Sequence, residues 1–385
     1  MKMEEKFGLK VELSESQRKR KAELLSAPVE AVDLTKVHGI SELVKAYGDS
    51  SIQARNIGKC AEVYENMLLD KARPTILLGV AGPLIAGGLR KVLRDMIEFG
   101  IVDVVVSTGA ILYQDLYQAR GYKHYKGTPE ADDTELRDLL IDRIYDTYVD
   151  EEKFWECDTF VAKFAEKLEP KPYSSREFLY LLGKELKDEN SILHTAAKHS
   201  IPVFSPALND SSIGIGLTQY YHWRKMNGKK HMIIDAIRDN YELTQIVVKS
   251  KKTAAIYIAG GVPKNFINDA VVMAYVFNVD TGGHTYAFQL TTDVPHWGGL
   301  SGSTLKEATS WGKISKKATR ATAYVEPTVS LPLVVGSVLQ AEYWKDRKRF
   351  VFDWDNDVLK SVEMGSLVSS KGQNCVDIHA KNNAH

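Results

Sequence analysis

Residues 75–109 read T-I-L-L-G-V-A-G-P-L-I-A-G-G-L-R-K-V-L-R-D-M-I-E-F-G-I-V-D-V-V-V-S-T-G, and this stretch decides the fold. It holds an apolar run at 75–79, a helical pattern at 89–99 and a second apolar run at 102–107. Short apolar runs that end in glycine or small polar residues are typical of buried strands. The order of strand, helix and strand indicates two parallel strands joined by a helix.

The same alternation continues along the chain. Two helices precede it, and further strands and helices follow at 201–205, 254–258, 286–290 and 322–325 (strands) and at 191–199 and 232–248 (helices). The predicted fold class is therefore α/β, with a doubly wound, mainly parallel sheet of about six strands and helices on both faces. In such sheets ligands bind at the carboxyl ends of the strands, near the point where the strand order reverses.

Composition divides the chain into three parts. Residues 1–30 are charged and predict a peripheral arm, whereas residues 31–350 predict a single α/β domain with a helical N-terminal region. The charged and aromatic stretch at 122–188 interrupts the alternation, so we interpret it as an insertion lying over the sheet. Residues 351–385 are polar and predict a loose C-terminal tail.

Charge and composition exclude several classes of protein. Fifty basic residues balance fifty acidic ones, so no overall charge attracts nucleic acid or a membrane surface. The sequence has no signal peptide and no run of about eighteen apolar residues, which predicts a soluble protein. Its three cysteines are far apart and fit neither a disulfide framework nor a metal site, which favours the cytoplasm. We expect no metal.

Residues 301–314, S-G-S-T-L-K-E-A-T-S-W-G-K-I, contain a candidate nucleophile. Lys313 lies between a glycine and an isoleucine, and Trp311 could cover it. Apolar surroundings lower the pKa of a lysine, and a neutral amine can form an imine with a carbonyl carbon. Glu307 could hold a cationic amine or move a proton. The alternatives are a surface lysine whose stem covers the tryptophan ring, and a solvated helical glutamate.

Four strand ends carry glycine and small residues, at 79–88, 108–109, 259–261 and 291–302. Glycine lets a backbone approach a ligand closely, and a following helix N-terminus attracts phosphate. Tight packing explains each segment equally well, but four of them at corresponding strand ends favour a dinucleotide site.

Polar side chains lie on the same loops. Asp210 follows a strand and could accept ribose hydroxyls or cap the next helix. His296 and Trp297 form a polar and aromatic pair, and Asp269 and Asp293 are carboxylates near the same edge. A single loop histidine is more often inert than catalytic.

The motifs S-W-G-K-I, S-P-A-L-N-D-S-S-I-G and G-G-V-P-K-N resemble those of the deoxyhypusine synthase family, and the likeness runs from residue 32 to residue 339. It implies a Rossmann-like subunit in a homotetramer with active sites between paired subunits. Such enzymes use NAD to oxidise spermidine and carry its butylamine group to an acceptor amine as an imine on a lysine. The matching lysine here is Lys313.

The resemblance also assigns roles to other residues. Glu307 and Trp311 match positions that line the amine pocket, and Asp210 matches the carboxylate that holds the NAD ribose. The remaining residues expected around the cofactor are Thr108, Gly109, Gly260, Gly261, Thr292, Gly298, Ser301 and Glu326.

Several positions depart from the eukaryotic pattern. Tyr113 and Gln114 replace two acidic residues, Asn265 replaces a histidine, Ile215 and Leu300 replace two aspartates, and Gln289 replaces a tyrosine. Each acidic anchor lost from a polyamine pocket removes a charge-assisted hydrogen bond of about 1.5–3 kcal/mol. The spermidine site is therefore not carried over intact.

The motifs P-K-N-F and T-T-D-V-P-H-W-G-G-L-S-G resemble a bacterial and archaeal branch of the family. There the acceptor could be a free diamine such as putrescine, giving homospermidine, or the lysine of the hypusine-bearing translation factor. The residues expected to line the altered substrate pocket are Tyr113, Asn265, Asp269, Gln289, Asp293, His296 and Trp297. Two alternatives are an NAD-dependent amine dehydrogenase and a non-catalytic protein that binds NAD or a polyamine.

Overall fold

The computed structural model describes residues 12–299 and 301–368. The helices are α1 (Glu15–Leu24), α2 (Ile40–Asp49), α3 (Ile52–Leu69), α4 (Arg90–Glu98), α5 (Gly109–Ala119), α6 (Asp133–Asp138), α7 (Glu151–Glu166), α8 (Ser175–Glu185), α9 (Ile192–Lys198), α10 (Ser212–Met226), α11 (Ala236–Lys249), α12 (Gly261–Met273), α13 (Glu307–Ser310) and α14 (Pro327–Gln340). The strands are β1 (Thr75–Val80), β2 (Val104–Ser107), β3 (Tyr125–Lys126), β4 (Ile141–Ile144), β5 (Thr147–Asp150), β6 (Pro172–Tyr173), β7 (Val203–Phe204), β8 (Ile233–Ile234), β9 (Thr253–Ile258), β10 (His284–Leu290), β11 (Ile314–Ala323), β12 (Lys348–Asp355) and β13 (Val358–Leu367).

The main sheet has six strands in the order β7-β2-β1-β9-β10-β11, and all neighbours are parallel. This confirms the predicted α/β fold class. The chain runs outward from β1 to β7, then returns to β9 and runs outward on the other side. The strand order therefore reverses between β1 and β9, where Val80 lies opposite Ile258. A crevice for ligands is expected at the carboxyl ends of these two strands.

Both faces of the sheet are buried. In β1, Ile76 and Leu78 belong to one core, while Leu77 belongs to another. Alternate side chains of a strand point to opposite faces, so the two cores lie on opposite sides of the sheet. The first contains Tyr64 of α3 and the second contains Ile267 of α12. Buried strands of this kind carry continuous apolar runs, which is why the sequence revealed them.

Strand β11 begins at Ile314, earlier than the strand predicted at 322–325. It is the edge strand of the sheet, and its residues 315–320 are mostly polar and partly or fully exposed. An edge strand with one solvated side lacks the apolar run on which the prediction depended. The start of this strand matters because Lys313 immediately precedes it.

The insertion at 122–188 contributes to the first core. Phe164 of α7 and Phe178 of α8 are buried there with ring centroids 5.6 Å apart. Outside them, β3, β5 and β4 form a small antiparallel sheet. Ahead of the domain, the exposed helix α1 forms part of the predicted arm, and residues 1–11 lie outside the described ranges.

The expectation of a loose tail beyond residue 351 is wrong as far as residue 368. Strands β12 and β13 form an antiparallel hairpin whose Phe352 and Leu359 are buried in the second core. Gln245 of α11 fixes the turn: its Nε2 donates to the Asp357 carbonyl at 2.7 Å, and its Oε1 accepts from the Leu359 N–H at 3.0 Å. The hairpin alternates polar and apolar residues because only one face is covered. Residues 369–385 lie outside the described ranges.

A buried ion pair joins this C-terminal segment to the start of the sheet. Arg73 donates two hydrogen bonds to Asp103, at 2.8 and 2.7 Å, and a further one to the Lys348 carbonyl at 2.8 Å. Arg347 donates to the carbonyl of Gly100 at 3.2 Å and to that of Leu68 at the same distance. Removing one partner of such a buried pair costs about 3–5 kcal/mol.

In the described ranges, no helix is both long and apolar enough to cross a membrane.

Asp239 of α11 is a buried carboxyl group close to α8. Its Oδ1 accepts a hydrogen bond from the Ser175 N–H at 2.7 Å. Burial raises the pKa of Asp239 to about 7, and the nearby Glu242 carboxylate adds to the rise. Glu242 is paired with Arg176 at 2.6 Å and with Arg238 at 2.9 Å.

We predict that Asp239 makes the free energy of unfolding fall as the pH rises from 3.8 to about 7. In this window the native carboxyl group keeps a proton that the unfolded chain has released, so ionisation opposes folding. Asp239→Asn keeps the acceptor oxygen and cannot ionise, so this component should disappear. Urea unfolding of both proteins between pH 4 and 8 measures the difference, and identical pH dependences would contradict the prediction.

Candidate active site

The backbone around Lys313 is fixed on both sides. The Lys313 N–H donates to the Ala308 carbonyl at 3.1 Å, and the Lys313 carbonyl accepts from the His284 N–H at 3.0 Å. Gly312 has φ +71°, a left-handed conformation that glycine adopts without strain. The chain therefore turns sharply from α13 into β11, and the backbone of Lys313 is held in one orientation.

The Lys313 amine is shielded and paired with a carboxylate. Its side chain is 15% exposed, and its Nζ lies 2.9 Å from Oδ1 of Asp269. The Nζ also lies 5.4 Å from the centroid of the Trp311 ring, although Trp311 itself is 66% exposed. The shielding agrees with the sequence analysis. The expectation of wholly apolar surroundings does not, because the Asp269 carboxylate lies beside the amine.

Asp269 connects two other predicted residues. Asn265 lies one turn earlier on α12, and its Nδ2 donates to Oδ2 of Asp269 at 2.8 Å. Residues four apart share a helix face, so α12 presents the amide and the carboxylate side by side. The Asp269 side chain is 42% exposed, which leaves it accessible to a ligand. Asn265, Asp269 and Lys313 thus form one polar row, which could take a proton from an amine and bind a cation.

Glu307 forms a reciprocal pair of hydrogen bonds with Thr304. Its carboxylate accepts from the Thr304 N–H at 3.4 Å, and its own N–H donates to the Thr304 hydroxyl at 2.9 Å. This reciprocal pair joins Thr304 to the first residue of the short helix α13. Glu307 is exposed, and the structure pairs Lys313 with Asp269 instead.

The cofactor residues predicted from strand ends fall into two close contacts at the carboxyl edge. A Cβ at Gly109 would lie 2.4 Å from the Ser211 hydroxyl, so the segment with Thr108 meets the segment with Asp210. A Cβ at Gly260 would lie 2.4 Å from Cα of Ser301. Only glycine permits either approach. One contact joins the segments after β2 and β7, and the other joins the segments after β9 and β10.

Four other predicted cofactor residues lie on nearby segments. Thr292 is exposed just after β10, and Gly261 and Gly298 adopt left-handed φ angles of +65° and +68°. Glu326 caps α14 by accepting from the Thr328 N–H at 2.8 Å. Asp210 is exposed, and the cap of α10 is Ser211, so the alternative role of Asp210 as a helix cap is wrong.

Two residues predicted to line the pocket, Tyr113 and Gln289, are buried. Tyr113 lies in the first core, where its hydroxyl donates to the Phe154 carbonyl at 2.8 Å and burial raises its pKa. Gln289 is also buried, and its side-chain amide bonds only to groups of the protein.

The loop after β10 carries the rest of the predicted pocket. His296 and Trp297 form a short 3₁₀ turn and are exposed, Trp297 to 85%. Asp293 accepts from the Val294 N–H at 3.0 Å. Ile215 is exposed on α10, and Leu300 lies outside the described residues. Among the described residues, the ion-pair partner of Lys313 is Asp269 and not a residue of this loop.

Sequence reasoning missed two residues of the site. A Cβ at Gly312 would lie 3.5 Å from the Tyr275 hydroxyl, which places this tyrosine beside the turn. Lys264 of α12 is buried beneath the same region and bonds to Gln289. Its position inside the G-G-V-P-K-N motif was the available signal. No group of three metal-ligating side chains occurs among the described residues.

The sheet order and the glycine contacts at its carboxyl edge define a Rossmann-like α/β protein in which Lys313, just before β11, pairs with the Asp269 carboxylate of α12. The family model described as Deoxyhypusine synthase matches residues 42–338. The chain is 42% identical over 332 residues to "Probable deoxyhypusine synthase 2" of Methanosarcina acetivorans, covering 85% of this chain and 94% of that one. It is 42% identical over 339 residues to the "Deoxyhypusine synthase-like protein" of Chlorobaculum parvum, covering 86% and 95%.

The chain therefore belongs to the deoxyhypusine synthase family, a family of transferases. A solved structure agrees on the fold: a protein of Entamoeba histolytica that carries the same family name superposes with a TM-score of 0.58. That match is 20% identical and covers 81% of this chain and 97% of the other.

We predict that Gly312→Ala destabilises the protein by about 1–2 kcal/mol, because a side chain at this left-handed φ is strained. Gly48→Ala is the matched control, since its Cβ would meet nothing within 4 Å and its φ is not left-handed. Urea unfolding compares the free energies of the two variants. Equal stability of both variants and the parent would mean that the turn before Lys313 relaxes without strain.

Proposed function

We propose that the chain is an NAD-dependent aminobutyl transferase that acts through Lys313. The donor is spermidine or a related polyamine, and the acceptor is an amine, either a free diamine such as putrescine or a protein lysine. The observation that carries the proposal is the shielded Lys313 amine paired with a half-exposed carboxylate, in a chain of this family. An imine-forming reaction needs such an amine together with a group that accepts its proton.

A dinucleotide fits the carboxyl edge of the sheet. The strand order reverses there, Gly109 and Gly260 hold neighbouring segments in close contact, and α12 begins at Gly261 with its N-terminal amides directed to the same edge. Helix N-termini attract phosphate groups, and the exposed Asp210 carboxylate could accept ribose hydroxyls. When bound, NAD would supply the oxidation of the donor amine to an imine and the final reduction of the product imine.

Lys313 and Asp269 would divide the remaining chemistry between them. The Lys313 ammonium gives a proton to Asp269, 2.9 Å away, and becomes a nucleophilic amine. A bond forms from Nζ to the imine carbon of the oxidised donor, and the bond from that carbon to diaminopropane breaks. The two remaining amine hydrogens pass to the leaving nitrogen. Attack by the acceptor amine then reverses these steps and frees Lys313.

Asp269 could also replace one of the carboxylates that the sequence lacks at the amine-binding positions of the family. Ile215 is exposed on α10 where the family pattern has an aspartate, so that charge is absent. The Asp269 carboxylate, held by Asn265, is available to bind a cationic amine. Trp311 and Trp297 are exposed and could cover alkyl chains of the donor or the acceptor.

The proposal includes a homo-oligomer, with a tetramer as the family implies. Exposed large apolar side chains support a subunit contact, namely Ile215, Tyr275, Val276, Trp297 and Trp311. Burial of such side chains is the usual reason for association.

The buried free thiols of Cys60 and Cys157 suit a reducing compartment such as the cytoplasm.

We predict that Lys313→Arg abolishes transfer and leaves NAD affinity unchanged. Arginine keeps the charge that pairs with Asp269, but its guanidinium is not a usable nucleophile. The test incubates protein, NAD and spermidine with putrescine or with the translation factor, reduces any imine with borohydride and identifies products by mass spectrometry. Transfer by the variant would contradict the proposal. Release of NADH without a trapped adduct in the parent protein would favour the amine dehydrogenase, and binding without any product would favour the non-catalytic protein.

Asp269→Asn provides a second prediction. The asparagine keeps the shape of the side chain but neither accepts the proton of Lys313 nor carries charge. We expect the rate of imine formation to fall by about 10²–10⁴, the usual contribution of a general base. Stopped-flow trapping measures this rate. Asn265→Ala is the control, because it removes the neighbouring amide and leaves the ion pair, and an equal loss in both variants would argue against a specific role for the carboxylate.

A further inference from the structure

Lys264 is a lysine in the interior of the protein. It lies near the start of α12 and is 3% exposed. Its Nζ donates to Oε1 of Gln289 at 3.0 Å, to the Ser301 carbonyl at 3.3 Å and to the Ser303 carbonyl. Among the described residues it forms no ion pair, so its acceptors are neutral oxygens. A buried ammonium ion requires such oxygens to replace its water, and their loss would be costly.

Gln289 completes this arrangement from the sheet. It lies near the end of β10, and its Nε2 donates to the Ala259 carbonyl and to the Ser301 carbonyl, both at 2.8 Å. With Oε1 accepting from Lys264, the amide group uses both of its donor hydrogens and its acceptor oxygen. Lys264 and Gln289 therefore fasten α12, the end of β9 and the 301–303 segment to one another.

The 301–303 segment leads directly to the site. It precedes α13, which carries Glu307 and ends in the turn to Lys313. Its other contacts are equally close: a Cβ at Gly302 would lie 2.4 Å from the Val294 carbonyl. Further along the same helix as Lys264 stands Asp269, the partner of Lys313. The first turn of α12 thus holds the segment that precedes Lys313, and Asp269, on a later turn of the same helix, pairs with the Lys313 amine.

Two electrostatic effects act on the Lys264 amine. Burial lowers the pKa of Lys264 to about 8, while the Glu307 and Asp293 carboxylates favour its charged form. Both carboxylates belong to the loop and helix that Lys264 fastens. The positive charge and the acidic side chains of the site therefore stabilise the same arrangement of the chain.

We propose that Lys264 is a positioning residue for the transfer reaction, which ties the 301–303 segment to α12 and so sets the distance between Lys313 and Asp269. The inference rests on the proposed function, in which these two side chains act together. Lys264 touches neither of them, and its hydrogen bonds leave no donor for a substrate. A lysine that only filled space in the interior would affect stability and leave catalysis unchanged.

The test uses the full chain with Lys264→Met, which keeps the length of the side chain and removes its charge and donors. Lys316→Met is the matched control, because Lys316 is an exposed residue of β11. Hydrogen–deuterium exchange of peptides covering 299–313 measures how firmly Lys264 holds the 301–303 segment. Steady-state kinetics with borohydride trapping measures the effect of that attachment on the transfer reaction. We expect exchange at 301–304 to rise about tenfold or more, as the loss of charge-assisted hydrogen bonds implies. We also expect kcat to fall by a similar factor and the KM for the donor amine to change little.

Unchanged exchange at 301–304 would overturn the proposal, as would raised exchange with an unchanged kcat. If Lys264→Met does not fold, Gln289→Leu cuts the same tie from the sheet side, and the same exchange result decides. The exchange measurement does not depend on the reaction. A parent protein that traps no imine with any amine would therefore end the proposed function, while the exchange data would still show whether Lys264 holds the segment.

Discussion

Burial of both faces of the six-stranded sheet is the constraint on which the arrangement of the site depends. With α3 on one face and α12 on the other, no ligand can approach the flat of the sheet. Chemistry is confined to the carboxyl edge and to the outer surface of the covering helices. The cofactor segments predicted from the sequence occupy the edge, and the row formed by Asn265, Asp269 and Lys313 occupies the surface of α12.

Helix α12 joins these two regions because its faces differ. Its first turn lies at the strand edge, Lys264 points into the interior, and Asn265 and Asp269 lie on the accessible side. Because the two regions lie on one helix, with no loop between them, the location of the strand edge fixes the location of Asn265 and Asp269. The left-handed turn at Gly312 then brings Lys313 back towards the same helix. The Lys313 amine and the Asp269 carboxylate are therefore positioned by two elements that pack against the same sheet.

The sequence predicted the parts of this structure that depend on local pattern. Buried strands are visible in the sequence as apolar runs, and the glycines at their ends mark places where two backbone segments approach closely. The fold class and the segments at the carboxyl edge could therefore be predicted. The pairing of Lys313 with Asp269 was not, because it joins residues distant in sequence and carries no periodic signal. Lys264 was overlooked since lysine is normally solvated. The hairpin at 348–367 was missed because one of its faces is polar.

The bonds of Arg73 and Arg347 have a consequence for how the chain is made. Arg73 needs the Lys348 carbonyl, and Arg347 needs the carbonyls of Leu68 and Gly100. These partners stand at opposite ends of the domain, so a growing polypeptide on the ribosome cannot close its interior until nearly all of it has been translated. Synthesis and folding of this enzyme are thus completed together rather than in succession.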